Sequence, residues 1–238
     1  MQDERMETAE TPTNGPTGVF DQPLSVERID TSDVGGAARV LAEAFAEDPV
    51  FLWAMPRAET RLADATAFFT FYLRRTRSRR REVFATSDRS AVAVMTPVGQ
   101  LGRENRTDAR DLPALVRTMS SAADYFRWIE TFQPDCDHRY LEFIGILPAY
   151  RSKGRGSVLL GSLLAMSARE GLPVWCWSSN PRNLPYYRRL GFESGDELRW
   201  NSDTPAVTPL LRPPVPYTAL SPSSAAGQAG GKVAKSTA

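Results

Sequence analysis

Residues 139–170 read RYLEFIGILPAYRSKGRGSVLLGSLLAMSARE, and this stretch decides the fold. Its first part, Arg139–Ile146, is aromatic, apolar and β-branched, with a period near two, the pattern of a strand. Its last part, Gly154–Glu170, is apolar at helical spacing until Gly171 stops it. At their junction lie Pro148, Tyr150, three cations (Arg151, Lys153, Arg155) and two spaced glycines, Gly154 and Gly156. Glycines allow positive φ and close backbone approach. Free N–H groups and the dipole at a helix start favour an anion there. A strand, a cationic glycine turn and a helix in that order therefore predict an anion cradle, and a diphosphate suits it.

The spacing excludes two common cradles. There is no G-x-x-x-x-G-K-[ST], and of G-x-G-x-x-G only the first half is present. Taken alone, R-x-x-G-x-G is also compatible with a plain glycine turn.

Working outward, the flanks supply strands and helices for a mixed sheet. A short strand is expected at Leu24–Ile29, a helix over Gly35–Ala46, and a break at Asp48-Pro49. A long helical region is expected over Leu52–Arg79, followed by an antiparallel hairpin of Glu82–Thr86 and Ala91–Thr96. Residues 99–136 read as polar, then helical around Leu112–Ser120 and Ala122–Phe132. After the glycine loop and its helix come a strand at Val174–Ser178, a helix at Asn183–Leu190, a strand from Phe192 and a last strand at Ala206–Leu211. A hairpin followed by strand–helix–strand predicts an α/β fold with a mixed sheet and helices on both faces.

The whole chain has 238 residues, 42% of them hydrophobic, which suits one domain with a real core. Residues 1–24 and 213–238 are Pro-, Ser-, Gly- and Thr-rich, without apolar periodicity, and are expected to be disordered; the folded unit is expected at 25–212. The formal net charge of +1 points to neither a nucleic-acid nor a membrane partner. A polar N-terminus without an apolar h-region, and no apolar run of the ~20 residues a bilayer needs, predict a cytoplasmic protein. With one histidine, His138, and two distant cysteines, Cys136 and Cys176, no metal site is expected. The run RRTRSRRR at Arg74–Arg81 suits either phosphates or, as the commoner case, a solvated helix end.

A second motif stands about thirty residues beyond the loop: Asn183-Leu-Pro-Tyr-Tyr187-Arg-Arg-Leu-Gly191-Phe192. Ile146-Leu-Pro148 with R-x-x-G-x-G, followed by N-x-x-x-Y-x-x-L-G-F, resembles the GNAT superfamily of N-acetyltransferases. Within it, SSNPRNLPYYRRLGF at 178–192 is similar to the puromycin N-acetyltransferase subgroup, and DPVFLWAMP at 48–56 is compatible with it. The resemblance implies the acyl-CoA N-acyltransferase fold and acetyl-CoA as co-substrate. It implies that backbone amides of Ser152, Lys153, Gly154, Arg155, Gly156 and Ser157 hold the CoA pyrophosphate, with Arg151 beside them. It puts Ile146 at a β-bulge meeting the pantetheine arm, and Asn183 and Tyr187 in the second cofactor motif. Tyr187 would then protonate the leaving thiolate, a role set against that of a helix tyrosine packed under Phe192.

The attacking amine must lose a proton, because a free alkylammonium has a pKa near ~10. Glu142 is the candidate base. Alternation puts it on the face of Ile144 and Ile146, and a carboxylate on a central strand calls for a function or an ion pair with arginine. Cys176 lacks a cationic partner, so direct transfer is favoured over an acetyl-enzyme. Trp177 stands where the puromycin subgroup carries a glutamate. Trp175 and Trp177 read as core packing or as an apolar acceptor wall. The expected activity is acetyl transfer to a primary amine of a small molecule, by a monomer or homodimer. The alternative is a CoA-binding module of the same fold without turnover, acting as a sensor or partner.

Overall fold

The computed structural model describes residues 23–30, 33–74, 81–99 and 120–214. Almost all of the expected leader and tail, and the expected helix before Ser120, lie outside the described residues. The elements run β1 (Val26–Arg28), α1 (Val34–Phe45), α2 (Pro49–Ala54), α3 (Arg61–Arg74), β2 (Glu82–Thr86), β3 (Ala91–Val98) and α4 (Ser120–Glu130). They continue with β4 (His138–Ile146), α5 (Arg155–Glu170), β5 (Val174–Ser178), α6 (Leu184–Arg189), β6 (Glu193–Ser194) and β7 (Thr208–Arg212).

The strands form one sheet in the order β1-β2-β3-β4-β5-β7-β6. Only β4 and β5 are parallel; the other pairs are antiparallel. A parallel pair needs a crossover, and α5 supplies it. Helices cover both faces, as expected. Leu41 of α1 and Phe69 and Leu73 of α3 pack with Val92, Val94 and Phe143 on one face. Leu159, Leu160 and Leu163 of α5 pack with Ala93, Met95 and Leu141 on the other. A third cluster joins Tyr125 and Ile129 of α4 to Tyr140, Trp175 and Val207.

Helix α1 lies unusually close to the sheet at Gly145. A Cβ there would stand 2.8 Å from the Ala44 Cβ and 3.1 Å from the Leu41 Cδ2. Any larger residue would push α1 off β4.

One local expectation differs from the structure. The helical region expected through Leu52–Arg79 is two helices as far as Arg74, because Pro56 interrupts the pattern after Met55; 75–79 lie outside the described residues. The expected break at Asp48-Pro49 is present, since α1 ends at Phe45, and the pair also starts α2. Asp48 accepts a hydrogen bond from the Val50 amide at 2.9 Å, and Pro49 occupies the first turn, where its missing N–H is not needed.

Candidate active site

Strands β4 and β5 pair only at Arg139 with Val174 and Tyr140 with Trp175. Beyond that point β5 stays with β7 while β4 stays with β3. The two strands therefore part and leave a cleft of about 750 Å³ through the middle of the sheet. Its walls include 141–146 of β4, Cys176–Asn180, Asn183 and Tyr187, with Phe45, Glu47 and Asp48 from the α1–α2 turn.

Strand β4 is irregular where it parts from β5. Val94 pairs with Phe143 but Met95 pairs with Leu141, so Glu142 is an extra residue, a β-bulge. The bulge stands at Glu142 and not at Ile146, a correction to the expected position. It also breaks the alternation on which Glu142 was placed. Leu141, Ile144 and Ile146 pack toward α5. Phe143 packs toward α1 and α3, and Glu142 reaches Tyr72 of α3 on that same face. Glu142 is thus opposite in facing to Ile144 and Ile146.

At one end of the cleft stands the loop 151–157. Gly154 is the N-cap of α5, at φ 79°, and no side chain caps the helix. Nothing lies within 4 Å of a Cβ built on Gly154, so the positive φ, not space, calls for glycine. Ser152 shares the left-handed conformation at φ 59° without being glycine. At Gly156 space is the constraint: a Cβ would meet the Ile146 Cδ1 at 3.3 Å and the Tyr186 hydroxyl at 3.4 Å. Ile146, Arg151, Ser152 and Asn183 line the cleft itself. Ser157 stands in the first turn of α5. The Arg151 side chain donates to the Ala44 carbonyl at 3.0 Å. Lys153 and Arg155 lie 5.6 and 5.4 Å from the centre of the Tyr150 ring, and Arg155 pairs with Asp88 at 3.2 Å. The arrangement can seat an anion on an uncapped helix start, with the cations around its rim.

Tyr187 comes from α6, is buried, and meets Phe192 edge-on at 5.3 Å. It therefore has the packing of an ordinary helix tyrosine and also lines the cleft. Burial pushes its phenol well above the usual range, and the nearby Cys176, Tyr186 and Asp48 add to that. It stays protonated at neutral pH, as a proton donor must. Burial likewise holds the Cys176 thiol far above its ordinary value. That leaves little thiolate and agrees with direct transfer. Trp175 packs on Tyr140 at 4.8 Å, and the Trp177 indole donates to the Tyr140 hydroxyl at 3.0 Å. Trp177 also lines the cleft, so it serves as packing and as wall together. His138 is bonded to Gln133 and to the Cys136 carbonyl, at the opposite end of β4 from the loop.

Glu142 is one of the cleft's lining residues, but its carboxylate is engaged. Arg81 pairs with it at 2.9 Å, and the hydroxyls of Tyr72 and Thr96 donate to it. The side chains of Arg81 and Glu142 are 6% and 5% exposed. Burial pushes the Glu142 carboxyl well above the usual range, and the guanidinium opposes that push. The ion pair with arginine, one of the two expectations for Glu142, is present. Its partner corrects the reading of the arginine run. Arg81 is a buried residue entering β2 and covers the Tyr72 ring at 3.9 Å; residues 75–80 lie outside the described residues.

Sequence reasoning missed Asp48 as a cleft residue. It read the aspartate as a helix breaker, and only the packing of the α1–α2 turn against the end of β5 shows otherwise. The Ser179 hydroxyl donates to the Asp48 carboxylate at 2.5 Å. Burial raises the Asp48 pKa, against hydrogen bonds from Ser179, Val50 and Phe51. The sequence signal available was an acidic N-cap beside a second acid, Glu47, which is too common to be specific.

No helix among the described residues is long and apolar enough to cross a membrane. No group of three or more potential metal ligands is found among them either.

Residues 119–192, which hold α4 through α6, match the acetyltransferase (GNAT) family. Among solved structures, the chain is similar to a histone acetyltransferase HPA2 and related acetyltransferase from Corynebacterium glutamicum. The two are 22% identical, with a TM-score of 0.60 over 81% of this chain and 97% of that one. It is also similar to the polyamine N-acetyltransferase of Drosophila melanogaster, at 16% identity and a TM-score of 0.54, over 79% and 98% of the chains. Arylalkylamine N-acetyltransferase 2 from Aedes aegypti gives 11% identity and a TM-score of 0.53, over 80% and 99%. At these identities the likeness concerns the fold. With the sequence match over 119–192 and the parted β4–β5 sheet together, the chain has the fold of the GNAT acetyltransferase family.

Proposed function

We propose that this protein transfers the acetyl group of acetyl-CoA directly to a primary amine of a small molecule. The observation that carries the reading is the cleft between β4 and β5. Arg151 and Ser152, just before the uncapped start of α5, line it, and so does Tyr187. A CoA pyrophosphate suits the amides around Gly154 and Gly156, and its thioester then runs along 142–146 toward Tyr187.

In this reading the amine nitrogen attacks the thioester carbonyl, the C–S bond breaks, and Tyr187 delivers a proton to the sulfur. General acid help of this kind is worth on the order of 10²-fold or more. Glu142 was the sequence-based candidate for the base. Its acceptor positions are taken by Arg81, Tyr72 and Thr96. That supports a structural part for it, holding the bulge that opens the cleft, over proton removal.

The likeness of 178–192 to puromycin N-acetyltransferases supports an amine acceptor with an apolar body. Trp177 replaces that subgroup's glutamate, so the acceptor contact there is an indole face. Unpaired Cys136 and Cys176 fit a reducing, cytoplasmic setting.

Calorimetry with acetyl-CoA, followed by thiol release and mass detection of product across a panel of primary amines, tests the reading. Binding with turnover is expected. Binding without turnover on any amine would instead identify a CoA-binding module, and no binding at all would remove both readings.

A further inference from the structure

We propose that Asp48 anchors the acceptor's ammonium group in the cleft and takes its proton before acetyl transfer. The proposal rests on the acetyl-transfer reading above and adds to it the group that neutralises the amine.

The geometry is the main support. Asp48 stands at the turn between α1 and α2 and lines the same cleft as Tyr187, Cys176 and Trp177. One carboxylate oxygen accepts the Val50 amide at 2.9 Å, and the other accepts the Ser179 hydroxyl at 2.5 Å. Among the described residues, no guanidinium or ammonium pairs with it in the way Arg81 pairs with Glu142. An anion without a cationic partner, at the wall of a cleft, is suited to a cationic ligand. Burial raises its proton affinity toward that of a useful base.

Glu47 adjoins Asp48 in the same turn and is exposed, and Glu142 lines the cleft from β4. Arg151 and Arg182 also line the cleft, on the side of the cofactor loop and of α6. Cys176, Tyr187 and Tyr125 are all pushed upward by burial first, and the Asp48 charge adds to that for both tyrosines. These three stay neutral across the working range, so the charges that share the cleft with Asp48 are Glu47, Glu142, Arg151 and Arg182.

The proton balance closes. The acceptor enters as R–NH3⁺ and gives one proton to Asp48. The free amine attacks, and the C–N bond forms as the C–S bond breaks. Tyr187 gives its proton to the sulfur and is refilled by the second proton that the nitrogen sheds. Asp48 then releases its proton to solvent, so one proton leaves per turnover.

Asp48 is also a helix cap, so the test has to keep the cap. Asparagine caps a helix about as well as aspartate. In Asp48→Asn the side-chain oxygen still accepts from Val50, and the amide can donate to the Ser179 hydroxyl. Fold, melting temperature and CoA affinity should therefore hold, while the charge is lost. With the fastest primary amine of the panel as probe, kcat/KM at pH 7 should fall on the order of 10²-fold. The loss should shrink as pH rises toward the amine's own pKa, because more of the amine is then already neutral. An unchanged kcat/KM, or an equal loss at every pH, overturns the role of Asp48 and leaves acetyl transfer standing. A wild-type protein that binds CoA but acetylates no amine overturns the transfer reading, and this proposal with it.

Discussion

Asp88 offers a prediction whose size follows from the structure. It sits in the β2–β3 turn, where it accepts from the Thr86 hydroxyl at 2.7 Å, the Ser90 hydroxyl at 2.6 Å and the Ser90 amide at 3.1 Å. Its other oxygen accepts from Arg155 at 3.2 Å, which ties this turn to the glycine loop. Burial pushes its pKa up, but the hydrogen bonds from Ser90, Thr86 and Arg155 outweigh it and hold the carboxyl at about 2, against 3.8 for the free group. Asp88→Asn mimics the protonated acid in shape and charge. Asp88 is an exposed residue, so solvent screening discounts the shift, and the cost at neutral pH is about 1 kcal/mol. The folded-state pKa is depressed, so this stability is present above the unfolded pKa and is lost as pH falls through about 2. Linkage leaves about half of it at pH 3. Urea titrations of wild type and variant at pH 7 and pH 3 measure both numbers. At pH 7 the melting temperature should drop by about 2–4 °C, the scale for 1 kcal/mol in a domain of this size. An equal difference at both pH values, or none at pH 7, would refute the reasoning, since either outcome means that the Asp88 charge is not what the turn uses.

Other perturbations separate the remaining roles. Tyr187→Phe keeps the ring against Phe192 and removes the proton; CoA affinity by calorimetry should hold while kcat falls on the order of 10²-fold. Replacing Gly154 with Val and Gly156 with Leu strains the left-handed cap and fills the space beside Ile146, so calorimetry should show acetyl-CoA binding lost. Glu142→Gln leaves the Arg81 guanidinium buried with a weakened partner. Thermal melts should show a loss of about 3 kcal/mol, the low end for breaking a buried pair, and activity should not recover as pH rises. A pH-dependent rescue in Glu142→Gln would restore its candidacy as the base.

The sequence by itself determined the local structure. Gly154 and Gly156 before VLLGSLLAM, and Asn183 with Tyr187 before Gly191-Phe192, are short-range patterns whose meaning does not depend on distant residues. The hairpin, β4, α5 and β5 were legible for the same reason, because their apolar periods and glycine or turn boundaries are local. Tertiary structure decided everything that depends on two segments meeting. The bulge at Glu142 exists because β3 pairs with β4 in a shifted register, and one inserted residue reverses the face of every side chain beyond it. Without that pairing, Glu142 was assigned the wrong face and Arg81 was read as part of a solvated run. Asp48 and Ser179 are 131 residues apart, and only the parting of β4 from β5 brings the α1–α2 turn over the end of β5. A carboxylate's role depends on what surrounds it in space, on burial, donors and cations, and those come from residues distant in the chain.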